Sequence, residues 1–477
     1  MATFGGNGRP RAGSRRWSAL WAAAPLAAVM SLAAGTSVAA PVTPIDTTHL
    51  RAEVRAGTLL ASHGVTVMCG SEKGGCHAPV VTTAPDATTV LSTDTPVGLG
   101  AGDLERAYHL PPASVGHRGT VALITGGAYP ALEHDLGVYR QEYGLPACTT
   151  ANGCLKVTDV DGGPPVPAST DGIDPEVEED WAGESSLDVD MASAACPDCR
   201  ILVLETSDYL ASGDPSPDEK GAAYATAYAT AVRLGADAVS LSDYIPDSPE
   251  LDGPVGKKLD HPGVPLMASA GDVGSSDATP SAGGPLATKQ ASPSDATEDI
   301  GWPQDLPWVV SVGGTLLKPS DAGRTTFTEQ AWAGLPGSCA TALAATAGQP
   351  ASIAANCGGH RAGTDIAAIA DPSSGPAAYD SYAPSTGRPM NWVVSGGTSA
   401  SSPFVAGWYA RSSGHRTDSH GPSALYAAPR STFHDITTGD GPHSACTSLG
   451  WPAVVCQAGP GWDGPTGLGT PDGLGRF

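Results

Sequence analysis

The order of apolar runs predicts an α/β fold, a three-layer arrangement of a mainly parallel sheet flanked by helices. Three observations carry that expectation. Gly119–Ile124, Arg200–Glu205, Ala238–Ser242, Val264–Ala270 and Trp308–Val312 are compact apolar runs suited to buried strands. Segments of helical spacing lie among them, Leu132–Tyr143 and the Ala-rich Glu219–Leu234. This β-α-β order brings parallel strands together through crossovers, which places helices on both faces. Reactive groups are then expected at the carboxyl ends of strands and at adjoining helix starts.

Taken from its start, the chain of 477 residues opens with an export-signal pattern over residues 1–40. Arg9, Arg11, Arg15 and Arg16 form a basic start, Leu20–Ala34 is mostly apolar, and Val38-Ala39-Ala40 offers a small-residue cleavage site. The apolar run is short and broken by Pro25, so no stable membrane span is expected. Residues 41–96, rich in Thr, Ala and Val, read as a short pro-segment or N-terminal extension, with Thr82–Pro96 as a linker. Residues 97–477 form the α/β domain. Within it, Ser275–Glu298 and Cys339–Cys357 read as surface excursions.

Asp and Glu number 49 against 25 Lys and Arg, so no nucleic-acid surface is expected and an anionic membrane would repel the chain. Such a balance suits a protein working in acid without demonstrating it. The ten cysteines fall in sequential pairs, Cys69/Cys76, Cys148/Cys154, Cys196/Cys199, Cys339/Cys357 and Cys446/Cys456. Five short-loop disulfides in an oxidising compartment is the simplest account, though other connectivities satisfy the count. Cys196-Pro197-Asp198-Cys199 could also be a redox dithiol or half of a zinc site; a second Cys-x-x-Cys is missing, which counts against zinc.

Ser395–Gly407 passes from a glycine turn into an apolar run, with Pro403 expected in the first turn of a helix. A serine at such a start sits among unpaired backbone N–H groups that favour developing negative charge, though Gly397-Thr398-Ser399 fits a serine-rich cap on an ordinary helix equally well. A hydroxyl needs a base beside it. The first strand runs into Thr125-Gly126-Gly127 with no aspartate, His63 lies upstream of it, and His134 reads as a solvent-facing helix residue. Glu184 and Asp188 stand one helical turn apart, facing one way. Spacing alone also fits a solvated acidic face, since Glu176, Glu178, Glu179 and Asp180 are neighbours. A coupled carboxylate pair can share a proton and serve as a base in acid, where histidine is already protonated.

Gly397-Thr398-Ser399-Ala400-Ser401-x-Pro403 resembles the nucleophile motif of the subtilisin-like superfamily. Trp181-x-Gly183-Glu184-x-x-Leu187-Asp188 is similar to the acid/base helix of the sedolisins, the serine-carboxyl peptidases. Ala268-Ser269-Ala270-Gly271-Asp272 resembles the segment carrying their oxyanion-hole aspartate. The resemblance implies a subtilisin-like domain and a secreted serine-type endopeptidase acting on polypeptides in acid, as a monomer. It assigns Ser399, Glu184, Asp188 and Asp272 as catalytic. Asp435-Ile436 with Gly459-Pro460-Gly461-Trp462-Asp463 resembles the family's calcium site, implying Ca²⁺ held by the Asp435 and Asp463 side chains and the Ile436, Gly459 and Gly461 carbonyls. Two departures stand out. Residues 41–96 are short for the long prodomain the family often carries, and Leu241-Ser242-Asp243-Tyr244 occupies the place of a Ser-x-Ser-Trp-Gly substrate strand. They support the alternative of a catalytically silent secreted binding protein on the same scaffold.

Overall fold

Alternation along each buried run sorts its side chains onto two faces, and a computed structural model shows both faces covered. The described residues are 45–67, 78–85, 87, 89–168, 175–207, 215–272, 301–334, 339–345, 349–384, 387, 389–412, 419–439 and 450–477. The expected signal 1–40 and the Ser275–Glu298 excursion lie outside them.

The described chain begins with helix α1 (Thr47–Ala56) and the antiparallel strands β1 (Val65–Val67) and β2 (Pro79–Val81). Helix α2 (Ala101–Ala107) precedes strand β3 (Thr120–Thr125), which is followed by α3 (Leu132–Glu142) and β4 (Leu155–Asp159). Then come α4 (Pro175–Ala195), β5 (Arg200–Glu205), α5 (Pro217–Arg233), β6 (Ala238–Leu241) and β7 (Leu266–Ser269). Further on lie β8 (Val310–Pro319), β9 (Phe327–Ala331), β10 (Cys339–Ala344), β11 (His360–Ala362) and β12 (Ile366–Ile369). Strands β13 (Ala377–Asp380) and β14 (Asn391–Val394) form a hairpin before helix α6 (Thr398–Arg411) and helix α7 (Gly421–Ala427).

The central sheet has the order β12-β8-β7-β6-β3-β5-β4, every neighbour parallel, with β9 antiparallel on β8. Val121, Leu123, Ile201, Val203, Met267 and Val312 point into the core shared with α4 and α6. The intervening Ala122, Ile124, Leu202, Leu204, Val239 and Ala268 pack with Tyr224, Tyr228 and Ala231 of α5. That period of two is the strand signature. Chain order reverses across β3, so the crevice at the carboxyl ends beside it is the expected place for a site.

Small residues bring α4 and α6 close together. A Cβ on Gly407 would lie 2.9 Å from Ala195 Cβ and 3.0 Å from the Ala192 carbonyl, so a larger residue there would push the helices apart. Disulfides join Cys148–Cys154, Cys196–Cys199 and Cys339–Cys357, which excludes the zinc and free-dithiol alternatives for Cys196 and Cys199 in this structure. Cys456 is disulfide-bonded, while Cys69, Cys76 and Cys446 lie outside the described residues.

Two expectations are corrected. Thr82–Pro96 is no free linker: Thr93 pairs with Trp392, and Leu91 is buried in the main core. Cys339–Cys357 is more than a surface excursion, because β10 pairs antiparallel with β11 and the disulfide packs with Ile353 and Val455 in a small core of its own. Among the described residues no helix is long and apolar enough to cross a membrane.

Candidate active site

The nucleophile helix is held by its own serines. Ser401 Oγ donates to the Ala368 and Ile369 carbonyls of β12 at 3.0 and 2.8 Å. Ser402 Oγ lies 2.8 Å from Ser240 Oγ of β6 and donates to the Met267 carbonyl of β7 at 3.1 Å. A helix start rich in serine is thereby anchored on three strands with its buried hydroxyls satisfied. Ser399, second in α6 and 3% exposed, is fixed over the carboxyl ends of the sheet.

Pro403 is not in the first turn as expected; it is the sixth residue of α6, inside the helix. A proline there cannot donate to the carbonyl four residues back, which is that of Ser399. Ser242 approaches that carbonyl from the end of β6. Its Oγ lies 3.4 Å from the Ser399 carbonyl and donates to Asp188 Oδ1 at 2.8 Å. Sequence reasoning noticed Ser242 only as part of an altered substrate strand. The signal that could have found it was a proline four residues after the nucleophile, which demands an outside donor.

Glu184 and Asp188 are each 1% exposed on α4, so they are not a solvated face. Trp181, one turn before Glu184, packs its ring over Gly126, where any Cβ would collide with it. This contact seats α4 against the end of β3 and accounts for the glycine there. Neither oxygen of Glu184 has a hydrogen bond within ordinary distance. Burial, then the charge of Asp188, raises the Glu184 carboxyl well above the usual range, while the neighbouring Ser399 hydroxyl draws it down. Burial pushes Asp188 up to about 8, opposed by the bond from Ser242. Two such carboxyls titrate as a pair, each binding its proton more tightly than a free carboxyl does.

Asp272 follows β7 through Gly271, whose φ of 98° favours glycine. Its Oδ1 accepts from the Thr398 backbone N–H and Oγ, both at 2.7 Å, and Thr398 Oγ in turn accepts from Gly271 N at 3.0 Å. Its Oδ2 is buried without a partner and lies against Gly397. Burial raises this carboxyl to about 6, with the Thr398 bonds opposing. A protonated carboxyl aimed at the turn before a nucleophile can donate to an oxyanion. The two histidines weighed as bases are engaged elsewhere: His63 faces Glu53 and the Thr82 carbonyl, and His134 pairs with Asp135. All four expected catalytic side chains thus meet in one buried place, drawn from α4, the end of β7 and the start of α6.

The C-terminal constellation gathers separately. Asp435 accepts from Gly461 N at 2.9 Å, and Asp463 accepts from Gly459 N at 2.9 Å and from Thr466 N at 2.8 Å. Burial, with Asp435 nearby, raises Asp463 to about 7. Arg430 at 3.3 Å from Asp435 is half exposed. Among the described residues, no backbone N–H bonds the Ile436, Gly459 or Gly461 carbonyls. Two carboxylates crowded beside unengaged carbonyls are a donor set that fits a hard cation.

No family model matches the chain. It is 30% identical over 396 residues to kumamolisin of Bacillus sp. (strain MN-32), a match covering 78% of this chain and 62% of kumamolisin. It is 32% identical over 195 residues to sedolisin of Pseudomonas sp. (strain 101), covering 38% of this chain and 30% of sedolisin. The chain therefore spans less than two thirds of the length of these relatives. The solved structure of Pseudomonas sedolisin, a serine-carboxyl proteinase complexed with two molecules of pseudo-iodotyrostatin, superposes with a TM-score of 0.55 at 20% identity, covering 79% of this chain and 95% of that one. The fold is thus of the subtilisin-like class, a mainly parallel sheet between helical layers. Within that class its sequence likeness is to kumamolisin and sedolisin, which supports the sedolisin family.

Proposed function

We propose that the chain is a secreted serine-carboxyl endopeptidase that hydrolyses peptide bonds of polypeptides at acidic pH. The observation that carries the reading is the buried meeting of Ser399 with a Glu184–Asp188 pair and the unpartnered Oδ2 of Asp272. Ser399 Oγ attacks the scissile carbonyl as Glu184 takes its proton, and Glu184 then returns that proton to the leaving amine. Asp188, held by Ser242, orients Glu184 and raises its proton affinity. Asp272, protonated, donates to the tetrahedral oxyanion. Water attacks the acyl-enzyme by the same route in reverse.

Acid operation follows from the carboxyls. Asp272 must carry its proton to donate, so activity falls as pH rises through about 6. Ca²⁺ would be held by Asp435 and Asp463 with the Ile436, Gly459 and Gly461 carbonyls, where it would brace the C-terminal loops. The alternative of a silent binding protein is disfavoured, because the unpartnered oxygens of Glu184 and Asp272 gather around the Ser399 turn, an arrangement that a scaffold without chemistry does not need.

The test is cleavage of an unfolded protein from pH 3 to 8 by the purified chain beside Ser399→Ala, with thermal unfolding as a control. We expect acid-confined activity that falls by at least about 10⁴-fold in the variant. Full activity of Ser399→Ala would overturn the assignment.

A further inference from the structure

The segment before residue 97 reaches the nucleophile turn. Val80 pairs antiparallel with Ser395, and Ser395 Oγ donates to the Pro79 carbonyl at 3.0 Å. Two residues on, Gly397 has a φ of 81° and its N–H donates to the Ala370 carbonyl at 2.7 Å. The Cδ of Pro79 lies 2.8 Å from the point where a Cβ on Gly397 would stand, and Asp272 Oδ2 also lies against that point. One small volume beside Asp272 is thus closed by a residue of the N-terminal segment.

The anchorage is deep. Val80 and Val81 are at most 1% exposed, and Leu50, Val54, Leu59 and Leu91 share the main core with Val394 and Ala400. Helix α1 packs against β8 and the turn at residues 372–374. Thr93 exchanges backbone hydrogen bonds with Trp392. Departure of this segment would expose apolar core and leave backbone groups unpaired.

Resting on the peptidase reading, we propose that Pro79–Val81 is a permanent wall of the catalytic pocket, retained in the working enzyme, and that it positions the Ser395–Gly397 turn and keeps water from the Asp272 side. The wall acts through the turn and is a positioning element. Its loss lets Gly396-Gly397 relax, and a nucleophile displaced by about 1 Å costs about 10²-fold in rate.

The test inserts a specific protease site after Pro85, in the exposed stretch Thr83–Pro85, and cuts the folded chain there. Native mass spectrometry then reads whether the N-terminal fragment ending at Pro85 stays bound, which does not depend on activity. We expect it to stay, and activity to persist. Stripping the fragment with mild denaturant should lower kcat by about 10²-fold, and adding the fragment back should restore it. Pro79→Gly, which keeps the strand but opens the wall, should lower kcat more than it raises KM and flatten the alkaline limb of the pH profile. Spontaneous loss of the fragment with unchanged or increased activity would overturn the proposal and mark the segment as a removable inhibitor. A fragment that stays bound to a chain inactive at every pH would instead sink the peptidase reading and leave the anchorage intact.

Discussion

Two fully buried carboxylates show opposite solutions to the same problem. Asp365 sits under the sheet with Arg361, both wholly inaccessible, and accepts from Arg361 Nη1 at 2.9 Å, Tyr426 Oη at 2.9 Å and Ser311 N at 3.0 Å. Every part of that charge is answered, so it does no more than join β8, β11 and α7. Glu184 is equally buried and makes no hydrogen bond within ordinary range. Desolvation without compensation is costly, and what it leaves is a group ready to move a proton. Burial alone does not mark a functional carboxyl; what sets Glu184 apart is that its unpartnered oxygens lie beside the Ser399 hydroxyl.

The comparison is tested most sharply by removing each charge. Glu184→Gln should cut kcat by about 10²–10⁴-fold while leaving unfolding by urea unchanged or slightly harder. Asp365→Asn should do the reverse, losing about 3–5 kcal/mol of stability by stranding Arg361, with kcat preserved in the folded fraction. Equal destabilisation by both changes would break the distinction. Next in size is Asp272→Ala, which removes the oxyanion donor. It should lower kcat by about 10²–10³-fold and abolish the fall in activity near pH 6, read from kcat against pH.

Ser242→Ala should cost about 10-fold. It withdraws the donor that holds Asp188 down, so the Asp188 proton is released at higher pH and the profile moves upward. Ser242→Thr should recover much of the loss. An unshifted profile would reduce Ser242 to packing.

The smallest effect concerns stability. On α4, Asp190 accepts from Tyr379 N at 3.1 Å but leaves Oδ1 unpartnered, and burial raises it well above the usual range. Asp380 is pushed up to about 7, also by burial. Both bind a proton more tightly in the folded chain than in the unfolded one, where an aspartate titrates near about 3.9. The contribution of Asp380 is therefore complete below about 3.9 and is lost as pH rises through about 7, and that of Asp190 changes in the same direction. Thermal scans should show a higher Tm at pH 4 than at pH 7, with a shallower slope in Asp380→Asn. A Tm that rises over that interval in both proteins would contradict it.

Much of this was legible in the residues. Arg200–Glu205 is a strand at its expected limits, and Leu132–Tyr143 and Glu219–Leu234 are helices within two residues of theirs. The edge strand β4, with Leu155 and Thr158 buried and Lys156 exposed, went unnoticed because half-buried edges carry neither a continuous apolar run nor clean alternation. Strand β12 is Ile-Ala-Ala-Ile, too short and alanine-rich to declare itself.

The sequence by itself determined the layer order, the serine at a helix start and the one-turn spacing of Glu184 and Asp188, because these depend on residue type and local periodicity. Only the tertiary structure decided whether that pair was a solvated face or a buried dyad, since identical spacing serves both. It alone brought Ser242 to the carbonyl freed by Pro403, set Asp272 against Gly397 and laid Pro79 beside them. Those contacts join residues tens to hundreds of positions apart, and what fixes them is which apolar faces the folded chain buries together, a property no local stretch contains.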